Sequence, residues 1–292
     1  MAIDSFIPEI WSASVETEYT AGQIVIPTVM GKYDGEVARG NQVNITGAVT
    51  PSIRDYSSTR TIEAEDLDDK GQSLLIDQEK AWSILVDDID RRQAAGDLGE
   101  WAGAAGRALR EDAESFMIGR LLSQAFQANV TGSTPVNVNE FSKAKAAALK
   151  IRKQLNDNKV PVDGRFLLVN SAFGSLLVDG LSDAALAGGS NELRNGQIAR
   201  VWGFTVLESP HFAEQTKPIA IGYHTSSAAF VGQIQKTEAL RHQSKFADIV
   251  RGLHVYGGKV TRREAVVAYV SEGVAQSSDP GFNLDNATGA ES

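Results

Sequence analysis

The sequence predicts an α+β protein, and three features of the chain carry that prediction. One long helical pattern runs from about Asp88 to Gln127. From Ile198 onward the chain reads almost entirely as strands. Helices and strands do not alternate regularly, so a doubly wound α/β sheet is not indicated. At 292 residues, with 42% hydrophobic and 22% charged, the composition is globular rather than disordered. A length in this range suits one large domain or two joined ones.

Residues 1–31 read as an extended arm containing one amphipathic turn or short helix. Ile7, Ile10, Trp11 and Val15 recur at helical spacing, and Pro8 suits a first helical turn. So apolar an arm needs a surface, either on its own domain or on a neighbour. "NQVNITGAV" alternates from Val43 and predicts a strand. Residues 50–80 hold eight Asp/Glu against four Lys/Arg, with "SLLID" as a further short strand. This segment has too little apolar surface for a core of its own and reads as a projecting hairpin or long loop.

The long helix contains "GDLGEWAGAAGRALREDAESFMIGRLL", with glycine at 96, 99, 103 and 106. Each interior glycine costs about 1 kcal/mol relative to alanine. Spacings of three, four and three keep these glycines on one face, where another backbone can approach or the helix can bend. Leu109, Ala113, Phe116, Ile118, Leu121, Leu122 and Phe126 supply an apolar side. A second helix, "VNEFSKAKAAALKIRKQLNDNKVP", takes Asn139 as its expected N-cap and ends near Asn158. Its cations at 143, 145, 150, 152 and 153 lack interleaved aromatics and read as a solvated face rather than a nucleic-acid surface. "GRFLLVN" is an unbroken apolar strand leading into the helix "SAFGSLLVDG". Residues 181–197 form a Gly/Asn/Ser-rich loop. The remaining strands, through "EAVVAYVSE", are expected to turn at Gly203, Gly222 and Gly257–Gly258, and the tail from Ser277 is expected to be disordered.

Several chemistries are excluded or disfavoured. With no cysteine, the chain can form no disulfide and no thiol-ligated metal site. It has no GxxxxGK[ST], GxGxxG or GxSxG pattern. His211, His224, His242 and His254 are widely spaced, and none sits at HExxH spacing. "DLDDKG", from Asp66, places Lys70 among the ligand positions of a calcium loop, which defeats that reading. Asp87, Asp88 and Asp90 precede the long helix and are read as dipole-complementing residues, with a carboxylate site for hydrolysis as the alternative. No cofactor or metal is expected. Net charge is −9, and no Lys or Arg precedes Lys32, the reverse of a phosphate-binding arm. The N-terminus lacks the pattern of a signal peptide, and no apolar run is long enough to span a membrane. These features point to a reducing cytoplasm, or to something assembled there.

The order of parts resembles the bacteriophage major capsid proteins of the Hong Kong 97-type fold. The resemblance lies in "FIPEIWSASV", "GQSLLIDQEKAWSILVDDIDRRQ", "NKVPVDGRFLLVNSAFGSLLVD", "GQIARVWGFTVLESPHF" and "FADIVRGLHVYGGKVTRREAVVAYV", which together span most of residues 6–271. It implies an N-terminal arm over residues 1–40 and an E-loop with flanking strands over 41–87. A peripheral domain with a long spine helix would comprise 88–139 and 257–276, an axial domain 140–256, and a flexible tail 277–292. It implies assembly into pentamers and hexamers of an icosahedral shell enclosing double-stranded phage DNA, without enzymatic activity. Partners would be a separate scaffolding protein, a portal and a decoration protein, with assembly in the bacterial cytoplasm. Subunit-interface candidates are Ile7, Ile10 and Trp11 in the arm, Arg54, Tyr56 and Arg60 in the loop, and Gly99 and Gly103 in the helix. Neither Lys70 nor Lys80 matches the crosslinking lysine of some members. An encapsulin-type nanocompartment shell is the alternative on the same fold.

Overall fold

The computed structural model describes residues 14–31, 42–45, 71–87, 98–125, 130–131, 138–180 and 197–270. Helix α1 covers residues 14–20, followed by α2 (Leu98–Ser123), α3 (Phe141–Asp157) and α4 (Ser171–Gly180). The strands are β1 (Gln42–Ile45), β2 (Gln72–Leu75), β3 (Gln78–Asp87), β4 (Val130–Thr131), β5 (Arg165–Val169) and β6 (Gln197–Val201), then β7 (Phe204–Glu208), β8 (Ile219–His224), β9 (Ala228–Arg241), β10 (Ala247–Val260) and β11 (Val266–Val270).

The strands make three sheets. The largest has the order β4-β11-β8-β5-β7-β6, with β4–β11 and β5–β7 parallel and the remaining pairs antiparallel. Both of its faces are covered, which explains why "RFLLV" has no polar alternation. Leu167 and Val169 point toward α3 and α4, where they meet Ala147, Ile151, Leu155, Phe173 and Leu177. Leu168 points the other way, into a cluster with Met117 and Leu121 of α2 and Val25 and Val29 of the arm. Asn170 fastens the start of α4 at this sheet. Its Oδ1 accepts from the backbone N–H of Phe173 at 3.1 Å and of Ile219 at 3.0 Å.

The second sheet is the antiparallel ribbon β3-β10-β9. Its inner face, with Val250, His254 and Tyr256, lies under α1 and α2. Its outer face is covered at one end by the third sheet, β1–β2, through Val43, Ile45, Leu74, Ile76, Val231 and Val255. Since β1 and β2 pair antiparallel, the chain enters and leaves residues 46–70 side by side.

The structure corrects several expectations. Residues 124–125 are no longer helical, so α2 stops short of Gln127, where the Gln124 side chain turns to accept the Val260 N–H at 2.9 Å. Asp87 is the last residue of β3, opposite Ala247, and so belongs to a strand rather than to a helix cap. The N-cap of α3 is Glu140, without a capping side-chain bond, and Asn139 instead accepts from Lys143 Nζ at 2.7 Å. Only Gly203 of the expected glycine turns is one. Trp202 and Gly203 both have positive φ, 53° and 81°, as a two-residue hairpin between β6 and β7 requires. Gly222 lies inside β8 beneath Ile151, and Gly257 and Gly258 lie inside β10, where Leu75 and Met117 leave no space for a side chain. The expected division at residue 257 therefore falls within a continuous strand. Moreover β11 is a strand of the six-stranded sheet, where its Val266 packs in one cluster with Met117 and Leu121 of α2, and β9 and β10 lie under α1 and α2 as well. Tertiary pairing decides these allegiances, and local patterning does not carry them.

Candidate subunit interface: the arm and its seat on the long helix

The described part of the arm, residues 14–31, is seated on its own chain. The glycines of α2 make the seat. A Cβ on Gly106 would stand 2.5 Å from the Val15 carbonyl oxygen, and one on Gly103 3.3 Å from Glu18 Cγ. The glycine face therefore receives the backbone of α1, which outweighs the lost helix propensity by close packing. Arg107 pairs with Glu18 at 3.2 Å, and Arg110 donates to the Glu18 and Ala21 carbonyls, closing the C-terminal end of α1.

One turn further along α2, the fully buried Glu114 captures the chain leaving α1. Its carboxylate accepts the backbone N–H groups of Ile24 (2.9 Å), Val25 (2.9 and 3.1 Å) and Ile26 (3.2 Å). Burial pushes this carboxyl upward, while the N–H groups of Val25, Ile26 and Ile24 and the Arg110 charge oppose that shift. Such a group is tolerated inside only because its oxygens are satisfied. Thr28 then bonds the Tyr223 hydroxyl at 2.5 Å, and Met30 forms a parallel bridge to Ala229 of β9. Burial is the main reason the Tyr223 phenol is shifted upward.

His254 lies beneath α1 on β10, fully buried, with its ring 4.9 Å from Tyr19 and 4.8 Å from Tyr256. Neither ring nitrogen has a hydrogen-bond partner among the described residues. Burial lowers its pKa to about 4, against the opposing field of Asp112. Asp112 in turn accepts from the Tyr256 hydroxyl at 2.5 Å and pairs with Lys80 at 3.5 Å.

Of the sequence-derived candidates, Gly103 sits in this seat. Gly99 lies in α2, while Ile7, Ile10, Trp11, Arg54, Tyr56 and Arg60 fall outside the described residues. Sequence reading missed Glu114, because an acidic residue between Ala113 and Phe116 looks like the exposed side of a helix. The helical count offers the one available signal, since Glu114 and Leu121 are a heptad apart on the same face. No group of three His, Asp or Glu side chains suited to a metal occurs among the described residues, and Asp88 and Asp90 of the hydrolase alternative fall outside them. No helix of the described residues is long and apolar enough to cross a membrane.

Solved structures place this architecture. A chain from Mycobacterium phage Che8 is 35% identical, with a TM-score of 0.70 over 86% of this chain and 92% of that one. A capsid chain of the cyanophage P-SCSP1u, 13% identical, matches 83% of this chain and 85% of its own with a TM-score of 0.58. One from the capsid of Ralstonia phage GP4, 12% identical, matches 84% and 87% with a TM-score of 0.59. The latter two show the fold alone, and that fold is the α+β fold of capsid proteins. The family described as Phage capsid protein matches residues 73–269. Among curated proteins no sequence matches. The chain belongs to the phage capsid protein family: it is a structural protein, a major capsid protein that self-assembles into the icosahedral shell of the virion. The nanocompartment alternative is not favoured.

Proposed function

We propose that this chain forms pentamers and hexamers that close around double-stranded phage DNA, with no catalytic role. Family membership across residues 73–269, which hold the whole three-stranded sheet and nearly all of the six-stranded one, carries the reading. Residues 1–40 serve as the arm, whose middle is seated on its own chain and whose first residues reach adjacent subunits, and residues 41–87 as the E-loop that overlaps a neighbour. In this reading α2 is the spine helix, and with β3, β9 and β10 it makes the peripheral domain. The six-stranded sheet with α3 and α4 makes the axial domain around five-fold and six-fold positions, with residues 181–197 toward the capsomer centre and 277–292 as a flexible tail. Arg54, Tyr56 and Arg60 contact the overlapped neighbour. A separate scaffolding protein, a portal and a decoration protein are the partners, and assembly occurs in the bacterial cytoplasm. A net charge of −9 suits a wall along which packed DNA must slide rather than stick.

Electron microscopy of the expressed protein, with scaffolding protein supplied where needed, tests this. Closed icosahedral shells built of capsomers are expected, and a preparation that stays monomeric under all such conditions overturns it. Gly103→Leu sharpens the test. A side chain there pushes Glu18 and α1 off the seat, so assembly is expected to fall, and normal particles from that variant count against an assembly role for the seat.

A further inference from the structure

Toward the β9–β10 hairpin, the outer face of the β3-β10-β9 sheet carries an apolar row whose two edge leucines are exposed. Leu85, Ile249 and Leu240 are direct partners across the three strands, and directly paired residues share a face. The neighbouring row confirms the register physically, since Arg251 and Glu238 lie opposite one another and pair at 2.7 Å. At the other end of this face the β1–β2 ribbon covers Val231 and Val255, but no described residue covers the far row. Leu85 is 47% exposed and Leu240 43%, and Phe246, at the hairpin tip beside them, is 82% exposed. An ordered apolar strip on a sheet face, bounded by an ion pair on one side, has the character of a contact surface rather than of scattered surface leucines.

We propose that this strip is the docking site for the first residues of a neighbouring copy's arm, with Ile7, Ile10 and Trp11 lying across Leu85, Ile249 and Leu240. The inference rests on the shell reading above. Three observations select this occupant. Ile7, Ile10 and Trp11 stand at helical spacing, so one short turn presents them as a single apolar stripe. Asp4 and Glu9 make the segment acidic, and Lys245, exposed beside Phe246, has no carboxylate partner among the described residues. Reach then excludes the chain's own Trp11. Val15 is fixed against Val250 on the inner face of the same strand. Four residues extend at most about 14 Å. Passing from the inner layer around a sheet edge to the outer row takes about 20 Å, given strands about 4.8 Å apart and side-chain layers about 10 Å apart. The stripe on the outer face therefore comes from a second molecule, a heterologous contact of the type that builds closed rings.

The absence of cysteine makes the test direct, because introduced thiols are the only ones present. Trp11→Cys combined with Leu240→Cys is assembled, oxidised and run on a non-reducing gel, beside each single variant. Covalent multimers from the double variant, absent from both singles, are expected, since a disulfide requires the two Cα atoms within about 7 Å. An intrachain disulfide at monomer mobility would assign the strip to the chain's own arm and overturn the proposal. Multimers from Leu240→Cys alone would mean that row meets row, which also overturns it. Free thiols in intact particles would mean that something else covers the strip, with the same consequence. Should the double variant yield no particles, Ile7→Cys with Leu85→Cys decides by the same outcomes. Failure of the unmodified chain to form shells sinks the shell reading instead, so the two failures are distinguishable.

Discussion

The two large sheets of this subunit are held in opposite ways. The six-stranded sheet is closed on both faces by apolar side chains, with α3 and α4 on one side and α2 and the arm on the other. The three-stranded sheet has one face under α1 and α2, where polar anchors mix with apolar ones, and an outer face covered only at one end. The difference is one of self-sufficiency. The first region satisfies its apolar surface within the chain. The second keeps surface in reserve, as a self-assembling subunit must, and the chain leaving its covering helix α1 is tied down by the buried Glu114 carboxylate.

The contrast can be broken most severely in the closed region. Phe173, fully buried between α4 and the sheet, leaves a large cavity in Phe173→Ala, with an expected loss of about 3–5 kcal/mol of global stability. Chemical denaturation should show a lower midpoint for the whole molecule. In the anchored region, Glu114→Ala strands three N–H groups at once, and a loss of about 3 kcal/mol is expected. Here the damage is local. Hydrogen exchange should accelerate at Ile24–Ile26 while Leu167–Val169 stays protected, and uniform exchange across both would contradict the comparison.

A smaller effect depends on pH. His254 is held neutral, with its pKa lowered to about 4 from an ordinary 6.5. Between those values the unfolded chain takes up a proton that the folded chain refuses, so stability falls as pH drops from 6.5 toward 4. The loss is about 2 kcal/mol near pH 5. His254→Leu should remove this part of the acid sensitivity in paired melts at pH 5 and pH 7, leaving the carboxylate contributions in place. An equal pH 5 loss in both proteins would count against it. The least effect belongs to the solvated face of α3. Lys153 and Asp157 pair at 2.6 Å but are mostly exposed, so Lys153→Ala should change stability by less than about 0.5 kcal/mol. A larger change in the same denaturation assay would mean that this face is engaged.

Much of the fold could be read without coordinates wherever the signal is periodic. The helix at Ser171–Gly180 and the strand at Arg165–Val169 stand where their patterns put them. The glycine stripe was visible as a place of close approach. What it approaches was not, since α1 is about 90 residues away in sequence and no local rule connects the two. Glu114 was illegible for the same reason, because its ligands are backbone N–H groups, which every residue but proline carries.

The sequence alone determined the α+β class, the unbroken core strand, the close-packing face of the long helix and an arm too apolar to stand free. These follow from period, turn chemistry and composition, which act within a few residues. Only the tertiary structure decided that α1 fills the glycine seat, that β10 runs straight through Gly257 and that β11 joins the six-stranded sheet. It also decided that Leu85, Ile249 and Leu240 align on an uncovered face. Strand pairing and helix seating are choices among distant partners of similar local character. They are settled by which surfaces fit when the whole chain packs, and that information is spread over the molecule rather than held in any one segment.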